Sequence, residues 1–463
     1  MREIGKTSKL TTGGLSMLEK TVSPPAQIAV ASPFGEYMKQ LPKVALPDGF
    51  SAAKVNRLLY LRLDGIGDTI LANSLLEKLP EVFPNAKISV VCELASAVVY
   101  EACPLVDEVI PLEKFALEKF VLERQEYFHQ AVRLLNARKA DVVLHAVASP
   151  AAHSAALALS SRLPVIGLEA DAINMSLNDR KIYNEKLACK IVIKRPSLAE
   201  LKKYEAVLAW LNGGRFSMLK PKLWLTEQHY AEAKEIWDKH GLVPERTIAV
   251  FSKASFSKGY AMFGHALLDT CRKNGWFVAA LGTEASFELN EENLRILRAH
   301  DISCVNLSGT TGLLACAAFL SKCRLAVGVD TGLAHIACAL DVPQVIALDG
   351  GHPGRFLPQH STTTAVCLPL ECWGCYGRCR YTHWYCLSGI TPEALAEAIE
   401  SALHPSVPQA GYGRMLMQAT PTWKAEGDKP RWRTPDRLMQ QQENEEFPIA
   451  FSVISKSSTN SAL

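Results

Sequence analysis

Short continuous runs of hydrophobic residues alternate along this chain with segments whose apolar positions recur at helical spacing. Residues 58–63 are mostly apolar, which is typical of a buried strand, and apolar residues spaced for one helix face follow between Ile70 and Leu79. Further runs predict strands at 88–92, 107–112, 141–145 and 164–167, with helices at 117–138 and 151–161. This alternation predicts a parallel sheet with helices on both faces.

A second series of the same kind begins near Thr247. Its expected strands are 248–251, 276–281, 325–329 and 345–348, and its expected helices are 261–273, 291–300, 312–322 and 333–340. Helical segments at 197–212 and 226–240 lie between the two series, with a hinge candidate at Asn212-Gly213-Gly214. We therefore expect an α/β protein with two doubly wound, Rossmann-like domains, 55–225 and 226–403.

The two flanks of the chain lack this periodicity. Residues 1–54 mix Thr, Ser, Pro and Gly, and residues 404–463 are rich in Pro, Gln, Ser and Lys. Segments of this composition bury too little apolar surface to fold alone, so we expect a partly disordered N-terminal extension and a disordered C-terminal tail. No run of about 18 apolar residues occurs, which predicts at most a peripheral contact with a membrane.

Charge and cysteine content narrow the range of functions. The chain has 50 basic and 47 acidic side chains, a formal net charge of +3, which argues against a nucleic-acid partner. It has 13 cysteines, an odd number, and the polar residues after Met1 do not look like an export signal. This pattern favours reduced thiols in the cytoplasm, most of them filling apolar cores.

Polar residues follow the first predicted strand, at the edge where open parallel sheets bind ligands. Two glycines, Gly65 and Gly67, permit a tight turn there and the close approach of a substrate. Asp68 falls at the start of the following helix, where it is either a helix cap or a general base. The spacing lacks the third glycine of a dinucleotide fingerprint, which argues against nicotinamide binding.

A second strand-turn-helix unit carries Asp330, Thr331, Gly332 and, one helical turn later, His335. The free N–H groups and the positive dipole end of such a helix suit a diphosphate. His335 would project toward the same helix mouth, although a structural histidine is an equally good interpretation. This unit is the candidate site for a nucleotide diphosphate.

Two loops offer further contacts to phosphate. Residues 253–258 follow the strand that ends at Phe251 and contain two lysines and two serines, Ser255 and Lys258 among them. Such a loop either grips phosphate oxygens or is an exposed basic segment. Arg355, after a glycine-rich turn, is a further candidate for the same role.

These segments, in this order, resemble the heptosyltransferase-like family of glycosyltransferases, family 9. Residues 61–68, followed by Phe83-Pro84-Asn85-Ala86, are similar to the family's opening strand, turn and helix. Residues 330–343 are similar to its donor-site signature, and the resemblance covers about 57–403. Two departures touch the donor pocket: Gly259-Tyr260 follows the lysine where the family usually has a Trp, and Gly350-Gly351-His352 replaces its usual Gly-Pro-Thr.

The resemblance implies a GT-B fold, in which two Rossmann-like domains face each other across a cleft. The first domain would bind the acceptor and the second the donor. It also implies an inverting transfer that requires neither a metal ion nor another cofactor for catalysis. Asp68 would be the base on the acceptor hydroxyl, Lys258 would contact the donor phosphates, and the nucleotide diphosphate sugar would be held by Asp330, Thr331, Gly332 and His335.

The function that the resemblance implies is transfer of heptose from ADP-heptose to a lipopolysaccharide core or a related surface glycan. Two alternatives within this class stay open, namely a protein O-heptosyltransferase and a transferase that uses another nucleotide sugar. An alternative of another class is a non-catalytic protein that binds a nucleotide sugar or a metal. The expected location is the cytoplasm, including the inner face of the inner membrane.

Four cysteines stand close together in an aromatic loop of the second domain: Cys372, Cys375, Cys379 and Cys386. Thiolates at such spacing can enclose zinc or iron tetrahedrally. Free thiols and disulfides are the alternatives. Four thiolate ligands would leave a metal no open position for catalysis, so its expected role is structural.

Overall fold

A computed structural model of the chain describes residues 32–118, 125–171, 173–193, 198–215, 218–254, 258–404, 413–418, 429–431 and 450–454. The strands are β1 Arg57–Arg62, β2 Lys87–Glu93, β3 Glu108–Leu112, β4 Val142–His145, β5 Val165–Leu168, β6 Cys189–Ile191, β7 Thr247–Phe251, β8 Phe277–Ala280, β9 Cys304–Asn306, β10 Leu325–Val329, β11 Gln344–Leu348, β12 Thr363–Cys367, β13 Arg414–Gln418 and β14 Ala450–Ile454. The helices are α1 Pro33–Gln40, α2 Ile66–Leu76, α3 Leu79–Val82, α4 Lys114–Glu118, α5 Gln125–Asn136, α6 Ala152–Ser160, α7 Leu177–Lys186, α8 Glu200–Leu211, α9 Glu227–His240, α10 Phe263–Asn274, α11 Phe287–Arg298, α12 Leu313–Leu320, α13 Gly332–Ala339, α14 Tyr385–Ser388 and α15 Pro392–Leu403.

The first six strands form one parallel sheet in the order β3-β2-β1-β4-β5-β6. β1 lies between β2 and β4, and Leu58 is in register with Ile88 on one side and Val142 on the other. The strand order reverses at β1 and β4, so the loops after these two strands open on the crevice where doubly wound sheets bind ligands. The turn that contains Gly65 directly follows β1.

The remaining strands form a second parallel sheet in the order β14-β13-β12-β11-β10-β7-β8-β9. Here the order reverses between β7 and β10, where Ala249 pairs with Ala326. The loop after β7 carries Lys258, and the turn after β10 carries Asp330. Both donor-side segments predicted from the sequence therefore lie at the topological switch point of this sheet.

The central strands of both sheets are covered on both faces, which is why they appear in the sequence as continuous apolar runs. Every residue of β7, β10 and β11 is buried. The predicted α/β class, with two doubly wound sheets, is confirmed. Within the described ranges no helix combines the length and the apolar composition needed to cross a membrane.

Part of the N-terminal extension is folded. α1 packs against α6 and α7 of the first sheet's helical layer and buries Phe34 and Met38 in that core. The Ser32 hydroxyl caps the helix by accepting a hydrogen bond from the Gly35 N–H at 3.2 Å. The predicted extension 1–54 therefore includes a docked helix at 33–40, while residues 1–31 lie outside the described part of the chain.

The prediction of a disordered tail from residue 404 onward is wrong for two segments. Residues 414–418 and 450–454 form β13 and β14, which extend the second sheet beyond β12. Met415 and Met417 are fully buried. Each strand has five residues, too few for a period to be detected in the sequence. The strands are stabilised by pairing with their neighbours in the sheet.

Candidate functional site

The amino ends of α2 and α13 approach each other closely, one from each domain. The imidazole of His335 in α13 lies against Gly67 in α2, where an added Cβ would stand 2.6 Å from Cδ2 of the ring. An added Cβ at Gly332 would lie 3.2 Å from Cγ2 of Ile66. Glycine at 67 is thus required by this approach, and the predicted acceptor-side and donor-side turns form the two walls of one cleft.

Asp68 lies in the first turn of α2 and does not cap the helix. The N-cap position is Gly65, and no side chain makes a capping hydrogen bond there. The interpretation of Asp68 as a helix cap is therefore wrong. Its half-buried carboxylate makes no hydrogen bond or ion pair with any residue that the structure describes, which leaves it free to meet a substrate hydroxyl.

The surroundings of Asp68 favour its protonated form at mildly acidic pH. Burial, and then the negative charges of Asp64 and Glu200, raise the pKa of Asp68 to about 6, against the smaller opposing effects of Arg62 and His335. A carboxylate with a pKa in this range is still ionised at neutral pH, and it is a stronger base than an ordinary aspartate. Asp68 has the properties of a general base.

The turn before α2 is held by a buried arginine that the sequence did not single out. Nε of Arg62 lies 2.9 Å from Oδ2 of Asp64, and its terminal nitrogens donate to the Ala146 carbonyl at 2.5 Å and the Tyr204 hydroxyl at 3.0 Å. Arg62 is 1% exposed. This network fixes the end of β1 and therefore the position from which Asp68 projects.

The predicted donor-side turn places a carboxylate and an imidazole at the mouth of α13. Nε2 of His335 lies 3.4 Å from Oδ1 of Asp330, and Nδ1 of the buried ring has no hydrogen-bond partner within the described chain. Burial opposes ionisation of Asp330, but the hydrogen bond from His335 and the charges of His335 and Lys258 outweigh it and lower its pKa. Thr331 occupies the N-cap position without a side-chain capping bond. The first N–H groups of α13 are thus available to an anion.

Lys258 faces the same region from the loop after β7. Its Nζ lies 2.9 Å from Oδ2 of Asp349 and 4.6 Å from the centroid of the Trp384 ring. Burial alone would lower the pKa of Lys258, but the charge and hydrogen bond of Asp349 raise it, so the side chain is a fixed cation. Ser255, predicted to lie beside it, is outside the described residues.

A buried ion network joins the two domains beside this cleft. Arg355 of the second domain approaches Oε1 of Glu200 at 2.5 Å and Oδ2 of Asp171 at 3.6 Å, and it donates to Oγ of Ser149 at 2.7 Å. Lys203 contacts the same Glu200 oxygen at 2.7 Å. Although burial raises the pKa of Glu200, the two cations lower it to about 2. The prediction that Arg355 binds phosphate is wrong for this arrangement, because its guanidinium group already pairs with Glu200 and Asp171 of the first domain.

The four cysteines of the aromatic loop do not form a metal-binding arrangement. They are free thiols, and the described residues contain no group of three or more His, Cys, Asp or Glu side chains placed to hold one metal ion. Cys386 is drawn into the core beside Gly350, whereas Sγ of Cys379 lies 3.7 Å from the His383 carbonyl. The geometry therefore gives no support to a structural metal at Cys372, Cys375, Cys379 and Cys386.

Comparison with known proteins identifies a family. The model of glycosyltransferase family 9 (heptosyltransferase) matches residues 128–384, more than half of the chain. Lipopolysaccharide heptosyltransferase 2 of Salmonella typhimurium is 26% identical over 318 residues, which are 67% of this chain and 87% of that protein. Lipooligosaccharide heptosyltransferase 2 of Haemophilus influenzae is 30% identical over 161 residues, 33% of this chain and 46% of that relative.

Comparison with solved structures extends the similarity to the fold. The structure of Escherichia coli ADP-heptose lps heptosyltransferase II aligns with a TM-score of 0.57 and 21% identity. The alignment covers 75% of this chain and 98% of that one. The two facing doubly wound domains described above are therefore a GT-B fold, as predicted.

Proposed function

The chain belongs to glycosyltransferase family 9 (heptosyltransferase), and from that premise we propose that it moves heptose from ADP-heptose to a hydroxyl of a lipopolysaccharide core or a related surface glycan. We further propose that the anomeric centre is inverted and that no metal ion takes part. The observation that carries the proposal is the close approach of α2 and α13, which brings a carboxylate without a partner among the described residues near a helix mouth that no side chain caps.

On the acceptor side, Asp68 accepts the proton of the attacking hydroxyl as the new glycosidic bond forms. The pKa of about 6 leaves this carboxylate ionised at neutral pH and basic enough to share the proton in the transition state. Attack from the face opposite the diphosphate inverts the anomeric carbon. A positioned base of this kind contributes about 10²–10⁴-fold in rate.

On the donor side, the protein supplies positive charge for the departing ADP. The free N–H groups at the start of α13 and the Lys258 ammonium group stabilise the negative charge that grows on the diphosphate as the sugar bond breaks. Asp330 orients the His335 ring at the same helix mouth. These groups give the diphosphate the electrostatic stabilisation that a divalent cation provides in other transferases.

The identity of donor and acceptor in this proposal comes from the relatives. The Escherichia coli neighbour is named for ADP-heptose and lps, and the Salmonella typhimurium relative for lipopolysaccharide. A protein hydroxyl as acceptor and another nucleotide sugar as donor are the alternatives within the same chemistry. The cytoplasmic location expected from the sequence belongs to the same proposal.

A thermal-shift panel of nucleotide sugars tests the donor. We expect ADP-heptose to raise the melting temperature more than other ADP sugars, UDP sugars or GDP sugars, because a ligand at about 100 times its Kd stabilises the folded state by about 2.7 kcal/mol. A larger shift with a UDP sugar would overturn the donor assignment. No shift with any nucleotide sugar would overturn the proposed transfer itself.

A further inference from the structure

The two ends of the loop that carries Lys258 pair with each other. The Tyr260 N–H donates to the Ser252 carbonyl at 2.9 Å, and the Ala254 N–H donates to the Lys258 carbonyl at 2.8 Å. A pair of chain segments this short is at best marginally stable by itself in water. The position of the Lys258 backbone therefore depends on what holds this paired stem in place.

Two buried asparagines of α11, Asn290 and Asn293, contact the stem. They are 0% and 1% exposed, and their spacing of three positions places them on the same face of the helix. Burying an amide costs free energy unless its polar atoms find partners. An apolar residue would fill the same core positions without that cost. The role of the two amides must therefore be sought in the groups that they bind.

Asn293 binds both ends of the loop at once. Its Nδ2 donates to the Ser252 hydroxyl and to the Tyr260 carbonyl, each at 3.1 Å. Its Oδ1 accepts from the N–H of Gly264, in the first turn of α10, at 3.0 Å. One side chain thus ties the two ends of the loop to each other and to the helix that follows the loop.

Asn290 fixes the same stem relative to the sheet. Its Oδ1 accepts from the Ser252 N–H at 3.1 Å, and its Nδ2 donates to the Leu281 carbonyl at 3.0 Å and to the Ser308 hydroxyl at 2.8 Å. Ser252 directly follows β7, Leu281 directly follows β8, and the two strands are neighbours. Asn290 therefore holds the first residue of the loop in a fixed position at the carboxyl ends of these strands.

Close packing leaves the stem little room to move. A Cβ added at Gly259 would collide with Cδ2 of Leu289 on α11. Tyr260 is buried, and its hydroxyl donates to the Ile390 carbonyl at 2.7 Å. The stem is thus held by α11 and by the segment before α15.

The Lys258 side chain starts from this stem and ends at a fixed partner. Its Nζ lies 2.9 Å from Oδ2 of Asp349 and 4.6 Å from the centroid of the Trp384 ring. A lysine has a flexible four-carbon side chain, so its ammonium group keeps one position only when the backbone is also fixed. Misplacement of a positioning group by about 1 Å can cost about 10²-fold in rate. A shift of the stem would therefore carry the ammonium group away from the proposed diphosphate position.

We propose that Asn293, supported by Asn290, is a positioning residue for the donor diphosphate: its amide holds the stem of the loop and so determines where the Lys258 ammonium group meets the phosphate oxygens. The inference rests on the proposed function, because it takes the diphosphate as the ligand of Lys258. Both amides are buried, so they act on the donor through the lysine.

Calorimetric titration of the full-length chain with ADP and with adenosine tests this inference. Adenosine lacks the diphosphate, so its affinity should not depend on Lys258. We expect Asn293→Ala to weaken ADP binding about tenfold, as for the loss of one hydrogen bond to a charged group, and to change the affinity for adenosine by less than about twofold. The matched control Asn184→Ala removes an amide that holds the Ala170 backbone in the first domain and should change neither affinity.

A double-mutant cycle separates positioning from a general loss of stability. If Asn293 acts through Lys258, Asn293→Ala/Lys258→Met should bind ADP no more weakly than Lys258→Met alone. A further loss in the double variant, an equal loss of affinity for ADP and adenosine, or an unchanged affinity for ADP in Asn293→Ala would overturn the inference.

A second variant and the parent protein complete the test. Should Asn293→Ala fail to fold, Asn290→Ala, which removes the acceptor of the Ser252 N–H, takes its place in the same cycle with the same expected results. A parent protein that binds ADP no more tightly than adenosine would overturn the proposed diphosphate site and this inference with it. That result comes from the parent protein alone, so it is distinguishable from a failure of the positioning role.

Discussion

The imidazole of His335 packs against the backbone of Gly67, with Cδ2 of the ring 2.6 Å and Nε2 3.1 Å from the place that a Cβ at Gly67 would occupy. Each residue belongs to a helix that starts at the switch point of its own sheet. This contact therefore sets the width of the cleft between the proposed base and the proposed donor site. Glycine at position 67 is therefore needed to make room for the His335 ring, and not only to allow a tight turn.

Gly67→Ala should impair transfer, because the added methyl group displaces the His335 ring or pushes α2 and α13 apart. We expect a loss of stability of about 1–3 kcal/mol, as for other overpacked sites, and a lower kcat/KM. Gly65→Ala is the matched control, since no atom lies within 4 Å of an added Cβ there. Urea unfolding and initial rates of both variants check this, and equal behaviour of the two would contradict the close approach.

Lys258→Met should weaken ADP binding and also destabilise the protein, because Asp349 is left as a buried carboxylate without its cation. Adding Asp349→Asn should restore much of the stability but not the affinity for ADP. Lys253→Gln changes an exposed contact to the Ala285 carbonyl in the same loop and should affect neither property. Calorimetric titration with ADP, together with thermal melting, separates the two roles of Lys258.

Arg355→Met should loosen the contact between the domains. The substitution leaves Glu200 buried beside Lys203 alone and Asp171 without its arginine, and breaking a buried pair in this way costs about 3–5 kcal/mol. Denaturant unfolding measures the loss, and small-angle scattering measures the separation of the domains. Arg133→Met, which breaks the exposed pair with Glu126, is the control and should leave the free energy of unfolding nearly unchanged, because solvent screens such a pair. A similar small effect of both substitutions would show that the network does not hold the domains together.

The ionisation of Asp68 should make stability depend on pH in a definite direction. Burial raises its pKa from 3.8 to about 6 on folding, so between these values the folded state binds more protons than the unfolded state. The contribution of Asp68 to the free energy of unfolding therefore falls as the pH rises through this window. Asp68→Asn should melt higher than the parent protein at about pH 8 and no higher at about pH 3. An advantage that is the same at both values would argue against a raised pKa.

The local strand-turn-helix units could be predicted from the sequence, whereas contacts between distant segments could not. β1 and the start of α13 lie within one residue of their expected positions, because a buried strand followed by glycine has a strong local pattern. β9 has three residues and β13 five, too short for any period to appear. Their pairing is set by neighbouring strands.

The same distinction applies to the site. Asp68 and His335 stand in motifs, so their positions beside sheet edges followed from the sequence. Arg355 and Glu200 are 155 positions apart, and no feature near either residue signals the ion pair. Trp384 lies under Lys258 from a different loop, and nothing near the lysine in the sequence signals this contact. The four cysteines have a spacing in the sequence that suits metal ligands. In the structure, however, Cys386 packs in the hydrophobic core.

Steady-state transfer by Asp68→Asn, measured together with its affinity for ADP-heptose, is the most direct test of the proposed chemistry. We expect kcat to fall by about 10²–10⁴-fold, because the amide cannot accept the hydroxyl proton, while the Kd for ADP-heptose stays nearly the same. The activity of the parent protein should decline as the pH falls through about 6, where Asp68 becomes protonated. Full turnover in Asp68→Asn would contradict the assignment of this carboxylate as the base.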